Sequence, residues 1–182
     1  MISRSISRPT TRLSVLILAL AAAAVIAGAT WMVVSPQLAH AEHGLPHGTI
    51  LARGAFVNPT DIKIKSTLGG DFRVMHVPDS ADAIVQQVTI APGAMTGWHS
   101  HHGPVIVIVA AGTMTLYQAD DPSCTGESYT AGQVFVDPGQ GNVHNARNEG
   151  STGVVLYATY LDVPPGVGPA IAATNPGTCA GF

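Results

Sequence analysis

Hydrophobic and polar residues follow one another in short runs over most of the chain, and clusters of Gly, Pro, Asn and Asp separate these runs. Runs of this kind, rich in β-branched residues and bounded by turn residues, are typical of all-β sandwiches and barrels. We predict strands at residues 49–57, 62–67, 72–77, 83–90, 105–110, 113–118, 133–137, 143–148 and 153–161. Beyond them, the Pro- and Gly-rich residues 163–182 predict an irregular C-terminal tail.

The first 41 residues have a different character. Arg4, Arg8 and Arg12 precede an uncharged apolar stretch, residues 13–34, and Ala39-His40-Ala41 follows it. A basic start, an apolar core and a small-x-small end predict a secretory signal peptide that is cleaved after residue 41. The apolar stretch is also long enough to span a bilayer as a helix, so an uncleaved transmembrane anchor remains the alternative. In both cases we expect the rest of the chain to be exported, to the cell envelope, the periplasm or the medium.

Residues 42–182 carry eleven acidic and five basic side chains, a net charge of −6 with neutral histidines. This acidic balance argues against nucleic acid as a partner, and membrane contact is expected only through the N-terminal segment. The two cysteines, Cys124 and Cys179, both lie in the exported part. Because disulfides persist in oxidising compartments, we predict that these two residues form one, with two free thiols as the alternative.

Three of the eight histidines are spaced as metal ligands. Side chains two residues apart on a strand point to the same face, so His99 and His101 face one space. His144 follows a Gly-rich turn on a distant predicted strand. Two ligands from one strand and one from another make an economical transition-metal site. His102 is predicted to point the other way, unless a bulge at Gly103-Pro104 exchanges it with His101.

Two segments resemble the two sequence motifs of the cupin family. The first reads Gly93-x5-His99-x-His101-x3-Val105-x6-Gly112, and the second reads Gly132-x5-Pro138-x2-Gly141-x2-His144-x3-Asn148. The resemblance implies a cupin jelly-roll β-barrel over residues 42–162, preceded by the N-terminal signal or transmembrane helix. It also implies metal binding by His99, His101 and His144, and a homodimer, since cupins commonly dimerise through their sheets.

This chain departs from the family pattern at two points. One extra residue lies between Pro138 and Gly141, and Val105 stands where the family has a glutamate ligand. The resemblance therefore implies only three of the usual four ligands. Three histidines with an open position still form a catalytic type of site, and some cupins are three-histidine iron dioxygenases. The sequence leaves open a metal-binding protein of unassigned activity, a dioxygenase-like enzyme and a metal-free binder of small molecules.

The ligand set also bears on the metal. Three neutral imidazoles without a carboxylate favour Zn or Cu over Mn or Fe, although Fe and Mn remain possible. No Arg-Arg pair precedes the apolar stretch, so we expect export before folding and metal uptake outside the cytoplasm. The same alternation predicts that Val105, Val107 and Val109 face the barrel interior. No acidic residue occupies a ligand position of either motif, so the sequence predicts no general base.

Overall fold

The structure, a computed structural model, describes residues 47–68 and 70–182. The predicted signal or anchor segment, residues 1–41, lies outside them, and the boundaries predicted at residues 41 and 162 stay predictions. The described residues contain no helix, and therefore none that is long and apolar enough to cross a membrane.

Twelve strands run through the described part of the chain. They are β1 (His47–Ala55), β2 (Ile62–Leu68), β3 (Asp71–Val77), β4 (Asp82–Ile90), β5 (His99–His101), β6 (Val105–Ala111), β7 (Thr113–Gln118), β8 (Glu127–Thr130), β9 (Val134–Asp137), β10 (His144–Arg147), β11 (Val154–Val163) and β12 (Ala170–Ala172).

These strands form two five-stranded sheets and one hairpin, and all neighbouring strands are antiparallel. The first sheet has the order β1-β4-β11-β6-β9, the second has the order β12-β5-β10-β7-β8, and β2 pairs with β3. The predicted all-β, cupin-like jelly-roll fold is confirmed for the described residues.

The core lies between the two sheets. Along the strands, buried apolar side chains that face the other sheet alternate with side chains that point outward. In β6 the side chains of Val105, Val107 and Val109 are buried, which confirms the predicted inward face, whereas Ile108 is exposed. They pack with residues of β4, β7, β9, β10 and β11 in one hydrophobic cluster. The side chains on the other face of the first sheet point towards solvent, as expected for an antiparallel sheet that packs on the core with one face only.

The C-terminal tail is more ordered than the sequence predicts. Ala170–Ala172 forms β12, which pairs along the whole of β5 and extends the second sheet. All three side chains of β12 are exposed, so backbone pairing with β5 holds this strand in place. Its sequence therefore lacks the alternation of hydrophobic and polar residues by which a strand is predicted. The same applies to the mostly exposed edge strand β8, which the sequence also fails to predict. The expectation of a wholly irregular tail is therefore corrected.

Three kinds of contact fix this tail to the barrel. Cys179 forms a disulfide with Cys124, in the loop between β7 and β8, with a Cα–Cα distance of 5.2 Å. The ring of Phe182 lies 5.8 Å from that of Trp98 and 4.6 Å from that of Tyr117, measured between centroids. Arg53 of β1 donates hydrogen bonds to the carbonyl oxygens of two tail residues, Pro164 and Val167. The tail is thus held against the end of the barrel that carries β5.

Candidate metal centre

The structure brings the three predicted histidines together. His99 and His101 lie on β5 and point to the same face, and the strand register places His144 of β10 directly opposite His99. The distances between ring centroids are 4.4 Å for His99 and His144, 4.9 Å for His99 and His101, and 5.1 Å for His101 and His144. One ring nitrogen from each residue lies within 4.8 Å of the others, so the cluster could bind one metal ion.

The neighbouring histidine is not part of this cluster. His102 follows His101 directly, is partly buried, and contributes no atom to the group of three. The predicted strand parity therefore places His101, and not His102, at the cluster. His76 of β3 lies elsewhere, with Nε2 4.0 Å from a carboxylate oxygen of Asp61.

Backbone carbonyl groups fix the orientation of all three imidazoles. Nδ1 of His99 is 2.8 Å from the carbonyl oxygen of Gly97, and Nδ1 of His101 is 2.9 Å from that of Pro169. Nδ1 of His144 is 3.2 Å from the carbonyl oxygen of Asn142. Since a carbonyl oxygen only accepts, each neutral imidazole carries its proton on Nδ1. The lone pair is then on Nε2, which is the arrangement that metal-ligating histidines require.

The three imidazoles are also held in the neutral form. Burial lowers the pKa of His99, and burial together with repulsion from the neighbouring imidazoles lowers the pKa of His101 and of His144 to about 3. A protonated imidazole cannot bind a metal ion, so a low pKa keeps the ligand atoms available at neutral pH. Donor type, tautomer and charge state all fit a transition-metal ion.

The turn before His144 absorbs the extra residue of the second motif. Gly139, Gln140 and Gly141 have φ values of 60°, 52° and 87°, so three consecutive residues adopt a left-handed conformation. Gly139 also packs directly on Gly103, where a Cβ on residue 139 would collide with the backbone. At the far end of the motif, the buried side chain of Asn148 donates hydrogen bonds to two carbonyl groups and has a structural role.

Val105 faces the cluster as the motif predicts, and a buried acid that the sequence does not indicate lies beside it. Asp137, the last residue of β9, pairs with Val105 in the strand register and is 1% exposed. Its Oδ2 lies 3.2 Å from Nδ1 of His144, and burial raises the pKa of its carboxyl group. Asp137 ends a predicted strand, yet nothing in the sequence indicates which strand it pairs with, so its place beside the histidines was not predictable.

The histidines line a small inner cavity, and some of its lining residues also line a larger outer pocket. The inner cavity has a volume of about 50 Å³, enough for an ion and water. Its walls combine the three histidines, Asp137 and Tyr160 with apolar side chains of the core. The outer pocket, of about 360 Å³, shares His99 and Tyr160 with it and adds Gln86 and Trp98. The side-chain amide of Gln86 is thus one of the polar groups that line this outer pocket.

One part of the chain matches a known protein family. Residues 86–163 match the family model described as Cupin domain. A protein with a double-stranded β-helix domain from Klebsiella pneumoniae is 18% identical, with 72% of this chain and 87% of that chain covered and a TM-score of 0.46. A cupin domain from Bordetella pertussis is 20% identical, with 59% and 99% covered and a TM-score of 0.39.

A further similar structure is the oxalate decarboxylase of Bacillus subtilis, a protein with Mn(II) centres. It is 23% identical, with 50% of this chain and 23% of that chain covered and a TM-score of 0.42. No curated protein matches this sequence.

Proposed function

We propose that this chain, in which residues 86–163 match the cupin family model, is an exported metal-binding member of the cupin superfamily and holds one divalent transition-metal ion on His99, His101 and His144. The observation that carries the proposal is the set of three Nδ1–H groups, each directed at a backbone carbonyl oxygen. They leave three neutral Nε2 atoms for one ion, on strands that hold the rings in place.

Zinc or copper is the metal that these ligand atoms favour. All three donors are imidazole nitrogens, and no carboxylate oxygen is among the atoms grouped within ligand distance in the described part of the chain. Nitrogen donors follow the Irving–Williams order, in which Cu(II) and Zn(II) exceed Fe(II) and Mn(II). When bound, such an ion acts as a Lewis acid towards an oxygen or sulfur donor.

The outer pocket supports access for a small molecule. Its volume falls in the range of small-ligand sites, and it is in contact with His99. The amide of Gln86 and the hydroxyl of Tyr160 are polar groups that can orient a ligand there. A ligand position open to exchange is the feature that separates a catalytic or sensing metal from a structural one. Catalysis or small-molecule binding at this position is our working hypothesis.

Export to an oxidising compartment is part of the proposal. The disulfide between Cys124 and Cys179 is typical of such compartments, and the N-terminal sequence resembles a signal or anchor segment. The net negative charge after residue 41 supports a function without nucleic acid. Homodimer formation through the sheets remains an expectation from the family.

Elemental analysis of protein purified from the exported fraction tests the proposal. We expect close to one Zn or Cu per chain in the wild type and well under half of that in His144→Ala. His102→Ala is the matched control, because it removes the imidazole next in the chain that contributes no ligand atom, and its metal content should stay close to that of the wild type. Full metal content in His144→Ala, or an empty site in His102→Ala, would contradict the assignment.

A dioxygenase-like activity is the second candidate, favoured by the three-histidine set beside an accessible pocket. This candidate requires that the protein bind Fe(II) as tightly as Zn(II) and consume O2 in the presence of a thiol or diketone substrate. Competition binding together with an oxygen electrode measures both properties. Weak Fe(II) binding without O2 consumption would leave the zinc or copper protein as the better assignment.

A further inference from the structure

The carboxylate that the first motif lacks is present on the neighbouring strand. Val105 of β6 and Asp137 of β9 are direct partners in an antiparallel pair. Side chains of directly opposed residues lie on the same face of a sheet. Since Val105 faces the cavity of the three histidines, Asp137 does so as well, and both residues line it.

Asp137 is held in place by the turn that leads to His144. Its Oδ1 accepts a hydrogen bond of 2.7 Å from the backbone N–H of Gly139, and its Oδ2 accepts one of 3.2 Å from the side-chain amide of Asn142. Asn142 also supplies the carbonyl oxygen that accepts from Nδ1 of His144. One residue therefore positions both the carboxylate and the imidazole, with Asp137 Oδ2 3.2 Å from His144 Nδ1.

Among residues 47–68 and 70–182, the ion pairs of Asp137 include no lysine or arginine, and its one basic partner, His144, is neutral because burial lowers the pKa of that imidazole. A buried carboxylate is costly unless an opposite charge lies near it. A cation on the Nε2 side of His144 would supply that charge through the ring. A carboxylate close to Nδ1 in turn makes Nε2 of the same imidazole a stronger metal ligand, as in the carboxylate–histidine–metal arrangements of many metal sites.

We propose that Asp137 is a positioning residue of the metal centre. Position 105, where the family has a glutamate ligand, carries an uncharged valine here, and Asp137 supplies a negative charge behind His144 instead. This inference rests on the proposed function, since it presupposes a metal ion on the three histidines. The site then combines three nitrogen ligands with a carboxylate that does not bind the ion itself.

The test compares Asp137→Asn with the wild type in Zn(II) affinity, measured by competition with a chromophoric chelator, and in the absorption spectrum of the Co(II)-loaded protein. We expect a 10–100-fold weaker affinity and an altered Co(II) spectrum, the size of effect that such outer residues have in other metal sites. Asp137→Glu, which keeps the charge, should recover part of the affinity. Asp82→Asn is the control, because it removes another buried carboxylate, paired with Arg53 and outside the cavity.

Each outcome separates the inference from the proposed function. A wild type that binds metal together with an Asp137→Asn protein of unchanged affinity and spectrum overturns the role of Asp137 alone. A wild type without metal affinity overturns both. If Asp137→Asn does not fold, Asn142→Ala carries the test, because it removes the donor to Asp137 Oδ2 and keeps the backbone carbonyl that accepts from His144. Unchanged affinity in that variant would equally overturn the inference.

Discussion

The carbonyl oxygen of Pro169 accepts a hydrogen bond of 2.9 Å from Nδ1 of His101, across a sequence separation of 68 residues. The next residue, Ala170, pairs with His101 in the strand register of β12 and β5. One imidazole of the candidate metal centre is therefore oriented by the C-terminal tail, which reaches this position because the disulfide and Phe182 fix it to the barrel.

The double variant Cys124→Ser, Cys179→Ser should be less stable than the wild type. The disulfide closes a loop with a sequence separation of 55 residues, and the chain-entropy model assigns about 4 kcal/mol to a loop of that length. Urea unfolding of both proteins measures the difference in the free energy of unfolding. Equal stability would show that the bridge constrains nothing. Intact mass after alkylation, with and without reduction, serves as the control that the wild type carries the bond.

The same double variant should bind metal more weakly, because a loosened tail no longer holds the Pro169 carbonyl at His101. Chelator competition under conditions where the variant is fully folded separates this effect from stability. The hydrogen bonds of His99 and His144 do not involve the tail, so some affinity should remain. An unchanged affinity would mean that β12 stays in place without the disulfide.

Metal-free protein should lose stability as the pH falls from about 6.5 towards 3. The folded-state pKa of His101 and of His144 is about 3, against a usual value of 6.5. Between these values the unfolded chain binds protons that the folded state excludes, which costs about 1.4 kcal/mol per pH unit and histidine. The raised pKa of Asp137 opposes this trend, since its folded state takes up a proton at higher pH than the unfolded chain.

Urea unfolding in the presence of a chelator, between about pH 7 and pH 4.5, measures this dependence. His144→Gln removes one of the buried imidazoles whose pKa is lowered, and it should reduce the slope of stability against pH. A free energy of unfolding that is constant over this range would contradict the burial of neutral imidazoles.

Val105→Glu should shift the metal preference towards Mn(II) or Fe(II). Residue 105 faces the histidine cavity, so a glutamate there adds a hard oxygen donor to three nitrogens. Competition binding on the metal-free protein compares the affinities for Zn(II), Cu(II), Mn(II) and Fe(II) in the variant and in the wild type. Val105→Gln is the matched control, with similar size and no charge. An identical preference order in Val105→Glu and Val105→Gln would contradict the prediction.

Gly139→Ala should destabilise the protein far more than Gly141→Ala in the same turn. Both glycines have positive φ, and the left-handed conformation costs a residue with a Cβ about 1–2 kcal/mol. Only at residue 139 would the added Cβ also collide with backbone, that of Gly103, whereas nothing lies within 4 Å at residue 141. Thermal unfolding measures both losses. Equal losses of stability in the two variants would show that the turn at residue 139 and the loop at Gly103 can move apart at little cost in free energy.

The local features of this protein follow from its amino-acid sequence. Alternation along β6 predicted which valines face inward, because a strand has only two faces and one of them is buried. The spacing of His99 and His101 predicted that both point to one space for the same reason. The Gly and Pro positions of the two motifs located the turns, including the one that tolerates an extra residue before His144.

The groups that surround the histidines depend on how the strands assemble in the folded protein. Asp137 lies beside His144 because β9 pairs with β6 in a register that sets it opposite Val105. Pro169 reaches His101 because β12 joins the edge of the second sheet. Both relationships depend on which strands become neighbours, and hydrophobic periodicity indicates only which face of a strand is buried. The ligand atoms could therefore be predicted from the sequence, whereas the groups that orient them could not.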